Sequence, residues 1–113
     1  MQNCLFCKII KGEIPSTKVY EDGFVYAFLD IEPQAPFHAV IVPKIHIKSA
    51  DEINTENSMY IAKIFEAVAK IAKQENLENG YRVVNNCGAD GGQTVGHIHF
   101  HLLARRNLQW PPG

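Results

Sequence analysis

His97-Ile98-His99-Phe100-His101-Leu102-Leu103 alternates imidazoles with apolar side chains. Along a strand, residues i, i+2 and i+4 share a face. Three imidazoles therefore line one side while Ile98, Phe100 and Leu102 point into the opposite, packed side. The run predicts a strand from Val95 to Ala104, and the rest of the chain is read outward from it. Upstream, Cys87 to Gly92 reads as a flexible loop and Tyr81 to Asn85 as a strand. From Ser58 to about Asn76, Ile61, Ile64, Phe65, Val68, Ile71 and Ala72 recur at helical spacing, with Lys63, Glu66, Lys70 and Lys73 elsewhere. Asn54, Thr55 and Asn57 are N-cap candidates, and Asn79-Gly80 is the expected stop.

Further upstream, His38 to Val42 predicts a strand, introduced by the Pro33 and Pro36 loop and closed by Pro43. Lys18–Glu21 and Phe24–Leu29 predict two more, joined by a two-residue hairpin at Asp22-Gly23. Cys4 to Ile10 reads as a short helix with Phe6, Ile9 and Ile10 on one side, stopped by Gly12 and Pro15. The expected fold is α+β: five strands in a mostly antiparallel sheet, one long helix on one face and a short N-terminal helix.

Composition bounds the function. The chain has 113 residues, 46% hydrophobic and 20% charged, with a net charge of -1. That length and apolar share fit one folded domain, residues 1–113, and exclude a disordered chain. Lys+Arg total 11 against 12 Asp+Glu, so there is no basic footprint and no nucleic-acid partner is expected. No apolar run reaches a membrane span, and Met1-Gln2-Asn3-Cys4 carries no signal-peptide pattern. A cytoplasmic protein with no membrane partner is expected. Three cysteines without a secretory signal make no disulfide framework. Cys4 and Cys7 form a C-x-x-C pair, which fits either metal or redox chemistry. Cys87 reads as a small buried or loop residue.

The chemistry concentrates around the alternating histidines. A plain solvent-facing strand would be served equally by Thr, Lys or Glu, so three His are an odd choice for it. Histidine is a common metal ligand, but no Asp or Glu lies nearby in the sequence to complete a site. The third reading is nucleophilic catalysis on phosphorus. Gly91-Gly92-Gln93-Thr94, just upstream, offers backbone N–H groups and side-chain donors to a phosphate.

These residues resemble a known family. The run from His97 to Leu103 looks like the His-φ-His-φ-His-φ-φ signature of the histidine triad (HIT) superfamily. The likeness extends through Phe6–Pro15, Phe28–Ile31, Pro33–Pro36, the His38 strand, Val84–Thr94 and Trp110-Pro111-Pro112-Gly113. Gln34-Ala35-Pro36 and the Trp-Pro-Pro-Gly end resemble the Hint branch, the histidine triad nucleotide-binding proteins, rather than the diadenosine-polyphosphate hydrolases. The resemblance implies a single HIT domain in a homodimer, joined through the long helix and the Tyr81–Asn85 strand. It also implies a purine nucleoside phosphoramidase that forms AMP, with aminoacyl-adenylates as an allowed substrate class. Two other functions stay open: a diadenosine-polyphosphate hydrolase, and a nucleotide-binding dimer acting mainly through protein partners.

Residue by residue, the resemblance implies that His99 is the nucleophile and forms a covalent nucleotidyl-imidazole. His101 then contacts the phosphoryl group and helps deliver a proton, with His38 as the fourth histidine of the relay. Asn86, Gly92, Gln93 and Thr94 match phosphate-contacting positions, Thr94 standing where related sequences mostly have Ser. Asp30 matches a ribose-binding carboxylate, while Phe6, Ile9, Ile14, Phe28 and Ile31 match a purine cleft, although periodicity alone assigns them to the core. Trp110 is expected at a neighbouring subunit's active site. No catalytic metal, magnesium included, and no organic cofactor is expected. Cys4, Cys7, His46 and His97 supply two thiolates and two imidazoles, a tetrahedral set suited to structural zinc; His97, the first of the triad, thus doubles as a metal ligand.

Overall fold

In a computed structural model of the protein, which describes residues 3–113, seven main elements follow one another. They are α1 (Leu5–Ile10), β1 (Lys18–Glu21), β2 (Val25–Leu29), β3 (Phe37–Pro43), α2 (Ser58–Gln74), β4 (Tyr81–Asn85) and β5 (Phe100–Ala104). A turn of 3-10 helix, Ala50–Glu52, precedes α2. Met1 and Gln2, the start of the leader reading, lie outside the described residues. Among the described residues no helix is long and apolar enough to cross a membrane.

The strands form one antiparallel sheet in the order β1-β2-β3-β5-β4. Alternation sorts its two faces. Val25, Ala27, Ala39, Ile41, Phe100 and Leu102 point into a core closed by Ile64, Ala67, Val68 and Ile71 of α2. Tyr26, Phe28, Val40 and Val42 point the other way, where α1 covers them with Phe6 and Ile9. A six-residue helix has no stability of its own. Burying Phe6 and Ile9 contributes about 1.5–3 kcal/mol each, so packing holds α1 in place.

Three local expectations are corrected and a fourth is refined. Val95–Ala104 is not one strand: β5 begins at Phe100, and the segment carrying His97 and His99 lies outside the ladder, bent from Val95 to His97 and held by the Ile98 N–H on the Ile47 carbonyl at 2.6 Å. The ladder runs out there because β3 ends at Pro43, which has no N–H to offer, and β4 ends at Asn85. The Asn85 side chain takes over, its Nδ2 donating to the His99 carbonyl at 2.9 Å. Phe24 belongs to the turn: Asp22 Oδ1 accepts from the N–H groups of Phe24 (2.7 Å) and Val25 (3.0 Å), so the carboxylate organises the hairpin. The N-cap candidates divide the work: Asn57 occupies the N-cap position of α2 without a side-chain cap hydrogen bond, while Asn54 Oδ1, in the turn before it, accepts from the N–H groups of Glu56 (2.9 Å) and Asn57 (3.1 Å). Helix α2 ends at Gln74, with Glu75 as its C-cap, ahead of the expected stop at Asn79-Gly80. Asn76 takes φ 56°, and Leu77 N–H reaches back to the Ala72 carbonyl at 2.9 Å, closing the helix end with Leu77 buried.

Candidate functional site

His99 sits on the α1 face of the sheet, 4% exposed, under the ring of Phe6 at 4.9 Å between centroids. Its Nδ1 lies 2.8 Å from the carbonyl oxygen of His97. A carbonyl only accepts, so the imidazole proton is on Nδ1 and the lone pair is on Nε2. Burial pulls the His99 pKa below its usual value, and the His97 carbonyl and Asp30 only partly oppose it. The ring is neutral at pH 7 with a free nitrogen: a nucleophile in its usable form.

Beside it runs a hydrogen-bonded chain of the opposite polarity. The backbone N–H of Gln34 donates to His38 Nδ1 at 3.0 Å. An N–H only donates, so the His38 proton is on Nε2, which lies 2.8 Å from His101 Nδ1 and 3.4 Å from Asp30 Oδ2. His101 therefore accepts at Nδ1 and keeps its own proton on Nε2. The rings of His101 and His99 are 5.1 Å apart. Burial, with His99 and His38 adding to it, pushes His101 down to about 4, while Asp30 pulls the other way. Burial also lowers His38 against the same carboxylate. His38 is no strand-edge residue; it is 5% exposed in the centre of the sheet.

A second cluster lies at the start of α1. Cys4 Sγ caps the helix, accepting from Cys7 N–H at 3.2 Å. His97 Nδ1 is 3.3 Å from Cys4 Sγ and 3.5 Å from Cys7 Sγ, and His46 Nδ1 is 3.5 Å from Cys7 Sγ. All four donor atoms lie within 4.8 Å of one another. Ligands held about 2.0–2.3 Å from one tetrahedral centre stand about 3.3–3.8 Å apart, so these spacings fit a single ion. His97 Nε2–H donates to the Pro43 carbonyl at 3.0 Å, which turns the free lone pair of Nδ1 into the cluster. Burial pushes His97 down to about 4 and keeps it neutral. Burial and the neighbouring Cys4 raise the Cys7 thiol, a strain that a cation between the sulfurs would reverse. The donor set fits zinc.

The remaining expected residues divide. Phe6, Ile9 and Phe28 are buried in the α1-side cluster, with Ile14 packed against it. Ile31 is 94% exposed, beyond that cluster, and Trp110 is 81% exposed. Gln93 is consumed by the loop itself: its Nε2 donates to the carbonyls of Lys48 (2.8 Å) and Val95 (3.0 Å), and its Oε1 accepts from Gly88 N–H. Asn86 Nδ2 braces the same loop through the Gly91 carbonyl at 2.6 Å. Both side chains shape the loop, and the N–H groups of Gly92 and Gln93 are spent inside it too, on the carbonyls of Ala89 (3.1 Å) and Gly88 (3.0 Å), which leaves the exposed Thr94 hydroxyl for a ligand. A cavity of about 590 Å³ opens beside the cysteine cluster, lined by Cys4, His46 and Thr94 among others, and by none of Asp30, His38, His99 or His101.

Sequence reasoning missed the groups that assign the protons: Gln34 N–H, the His97 carbonyl and the Pro43 carbonyl. Backbone groups leave no signal in residue type. It also missed Arg82 of β4, whose guanidinium holds the tail through the carbonyls of Leu108 and Gln109.

The HIT domain family matches residues 11–108. A "14 kDa zinc-binding protein" of Zea mays is 51% identical, covering 96% of this chain and 87% of its own length. A "purine nucleoside phosphoramidase" of Escherichia coli K12 is 45% identical, over 95% of this chain and 91% of its own. The crystal structure of a HIT family hydrolase from Legionella pneumophila Philadelphia 1 superposes with a TM-score of 0.95 at 52% identity, covering 98% of this chain and all of that one.

Proposed function

The chain belongs to the HIT domain family, and on that premise we propose that it hydrolyses purine nucleoside phosphoramidates to AMP and a free amine. The observation that carries this reading is the pairing of a bare His99 Nε2 with a proton-bearing His101 Nε2 on adjacent buried rings. One supplies an electron pair and the other a proton, the two things that displacing an amine from phosphorus requires.

In the first step His99 Nε2 attacks phosphorus, the P–N bond to the amine breaks, and the amine leaves with a proton from His101. His38 keeps its single proton on Nε2, hydrogen-bonded to His101 Nδ1 at 2.8 Å, because the Gln34 amide cannot resupply it; the proton that His101 gives up is returned by the water of the second step. The intermediate carries its positive charge on His99, which the His97 carbonyl stabilises through Nδ1–H. In the second step water attacks phosphorus, the bond to His99 breaks, and the water proton refills the relay. Asp30, 3.4 Å from His38 Nε2, favours the proton on that nitrogen and in this reading also accepts the ribose hydroxyls. Phe6, Ile9, Ile14 and Phe28 flank the purine, and the loop from Asn86 to Thr94 faces the phosphate. The similarity to the Escherichia coli phosphoramidase favours this reading over diadenosine-polyphosphate hydrolysis.

Cys4, Cys7, His46 and His97 would hold a structural zinc ion, which when bound neutralises the two thiolates and adds folding free energy. The zinc-binding maize relative supports this assignment. Near one ion per chain is expected by elemental analysis of protein purified without chelators; metal-free, fully folded protein would remove it. A homodimer across α2 and β4 is part of the same reading. Edge strand β4 has one side free within the chain, and Phe65 and Tyr81 are 49% and 44% exposed along that surface. Light scattering at micromolar concentration should give twice the chain mass.

The direct test is turnover of a fluorogenic adenosine phosphoramidate by the protein and its His99→Ala variant. Near-normal turnover by the variant would remove His99 as nucleophile.

A further inference from the structure

The relay has a direction, and one residue of the tail holds the group that sets it. Gln34 is exposed, outside the apolar clusters on both faces of the sheet. It is held by hydrogen bonds at three points. Its N–H donates to His38 Nδ1 at 3.0 Å, its Nε2 donates to the Glu32 carbonyl at 3.0 Å, and its own carbonyl accepts from Arg106 Nε at 3.0 Å. The β3–β5 ladder ends at the pair Phe37↔Ala104. Arg105 then turns the chain with φ 74°, and Arg106 continues the pairing by side chain where the backbone has stopped.

Reversing the relay needs a coupled tautomer change in its two rings, His38 and His101. Without the Gln34 N–H on Nδ1, His38 can carry its proton there and present a bare Nε2. His101 would then donate from Nδ1 and present a bare Nε2 of its own, becoming an acceptor where the leaving amine needs a donor. We propose that Arg106 is a positioning residue: by clamping the Gln34 carbonyl it keeps the Gln34 N–H on His38, and so keeps the chain from Gln34 through His38 to His101 pointing one way. The consequence for turnover rests on His101 serving as proton donor in the phosphoramidase reading; the tautomer itself does not.

The experiment uses ¹⁵N-labelled full-length protein at pH 7.5, where long-range ¹H–¹⁵N spectra distinguish protonated from bare ring nitrogens. Wild type should show His38 bare at Nδ1 and protonated at Nε2. Arg106→Ala should move both nitrogens toward averaged values and lower kcat on an adenosine phosphoramidate about three- to tenfold, with KM within about twofold. Arg106→Lys, which keeps a donor of similar reach, should recover most of both readouts. Gln34→Pro, which deletes the N–H, should give the largest spectral change and serves if Arg106→Ala folds poorly. Wild-type His38 signals in folded Arg106→Ala would overturn the proposal, whatever kcat does, and if that variant folds poorly the same signals in Gln34→Pro would do so. Spectra that move as expected in a protein that turns over no phosphoramidate would support it and count against the function reading instead.

Discussion

Among the described residues, two groups of side chains bring metal-type donors within 4.8 Å of one another: Cys4, Cys7, His46 and His97 at the start of α1, and Asp30, His38 and His101 across the sheet. By residue type either would pass as a metal site. They differ in what stands behind each histidine. The Pro43 carbonyl takes the His97 Nε2 proton and turns a lone pair inward, toward two sulfurs. The Gln34 N–H fills the His38 Nδ1 lone pair and turns a proton inward, toward His101. We read the first as a place for a cation and the second as a path for a proton. His99 follows the first pattern, with the His97 carbonyl behind it, but its ring lies beside His101 instead of the thiols. A single backbone group decides what each ring does.

The comparison breaks most visibly at His99. His99→Ala should lower turnover of an adenosine phosphoramidate by about a thousandfold or more, while AMP affinity stays within about tenfold, or about 1.4 kcal/mol. The affinity is spread over the cleft, Asp30 and the phosphate loop. Steady-state kinetics and calorimetric titration check the two halves. A variant that loses affinity and turnover together would make His99 a binding group.

The metal side breaks differently. Cys7→Ser should lower Tm by about 10 °C, through loss of metal-linked folding free energy, with kcat changed far less than by His99→Ala. Thermal unfolding of the metal-loaded protein measures the first and initial rates the second. Equal stability of variant and wild type would put the cluster outside the folding energetics.

The relay should show itself in acid. Folded His101 titrates near 4 and folded His38 below its usual value, whereas both titrate near 6.5 when unfolded. Between those values the unfolded chain binds more protons, so stability falls as pH falls. The contribution is complete above about pH 6.5 and drains away toward pH 4. Tm measured across that range should fall less steeply for His101→Gln than for wild type; parallel curves would mean that His101 is already charged in the fold.

The smallest effect expected is at Asn85, which closes the ladder beside His99. Asn85→Ala should cost about 1 kcal/mol in denaturant unfolding, the worth of one hydrogen bond, and no change would leave the His99 segment held by other contacts.

Much of this was legible in the sequence because it depends on side-chain pattern. Alternation from His97 to Leu103 put the imidazoles on one face and Ile98, Phe100 and Leu102 in the core, and that holds although the strand begins only at Phe100. The helical spacing of Ile64, Val68 and Ile71 found α2, but its end depends on Asn76 adopting a left-handed conformation that Gly80 advertises more strongly. Gln93 looked like a phosphate donor because its amide has donors to give; only the folded loop reveals that its own carbonyls use them. Gly91 was one glycine among several until the fold placed Cys87 beside it. A Cβ there would stand 2.4 Å from the Cys87 carbonyl oxygen, so the loop requires glycine at that point. The proton assignments were invisible, because carbonyls and amides belong to every residue and acquire a role only through position.

Those assignments are also the most direct test of the comparison between the two clusters. Long-range ¹H–¹⁵N spectra of the zinc-loaded wild-type protein at neutral pH should show His97 protonated at Nε2, His99 protonated at Nδ1 with Nε2 bare, and His38 protonated at Nε2 with Nδ1 bare. His99 protonated at Nε2, or His38 at Nδ1, would contradict the division into cation site, nucleophile and proton relay.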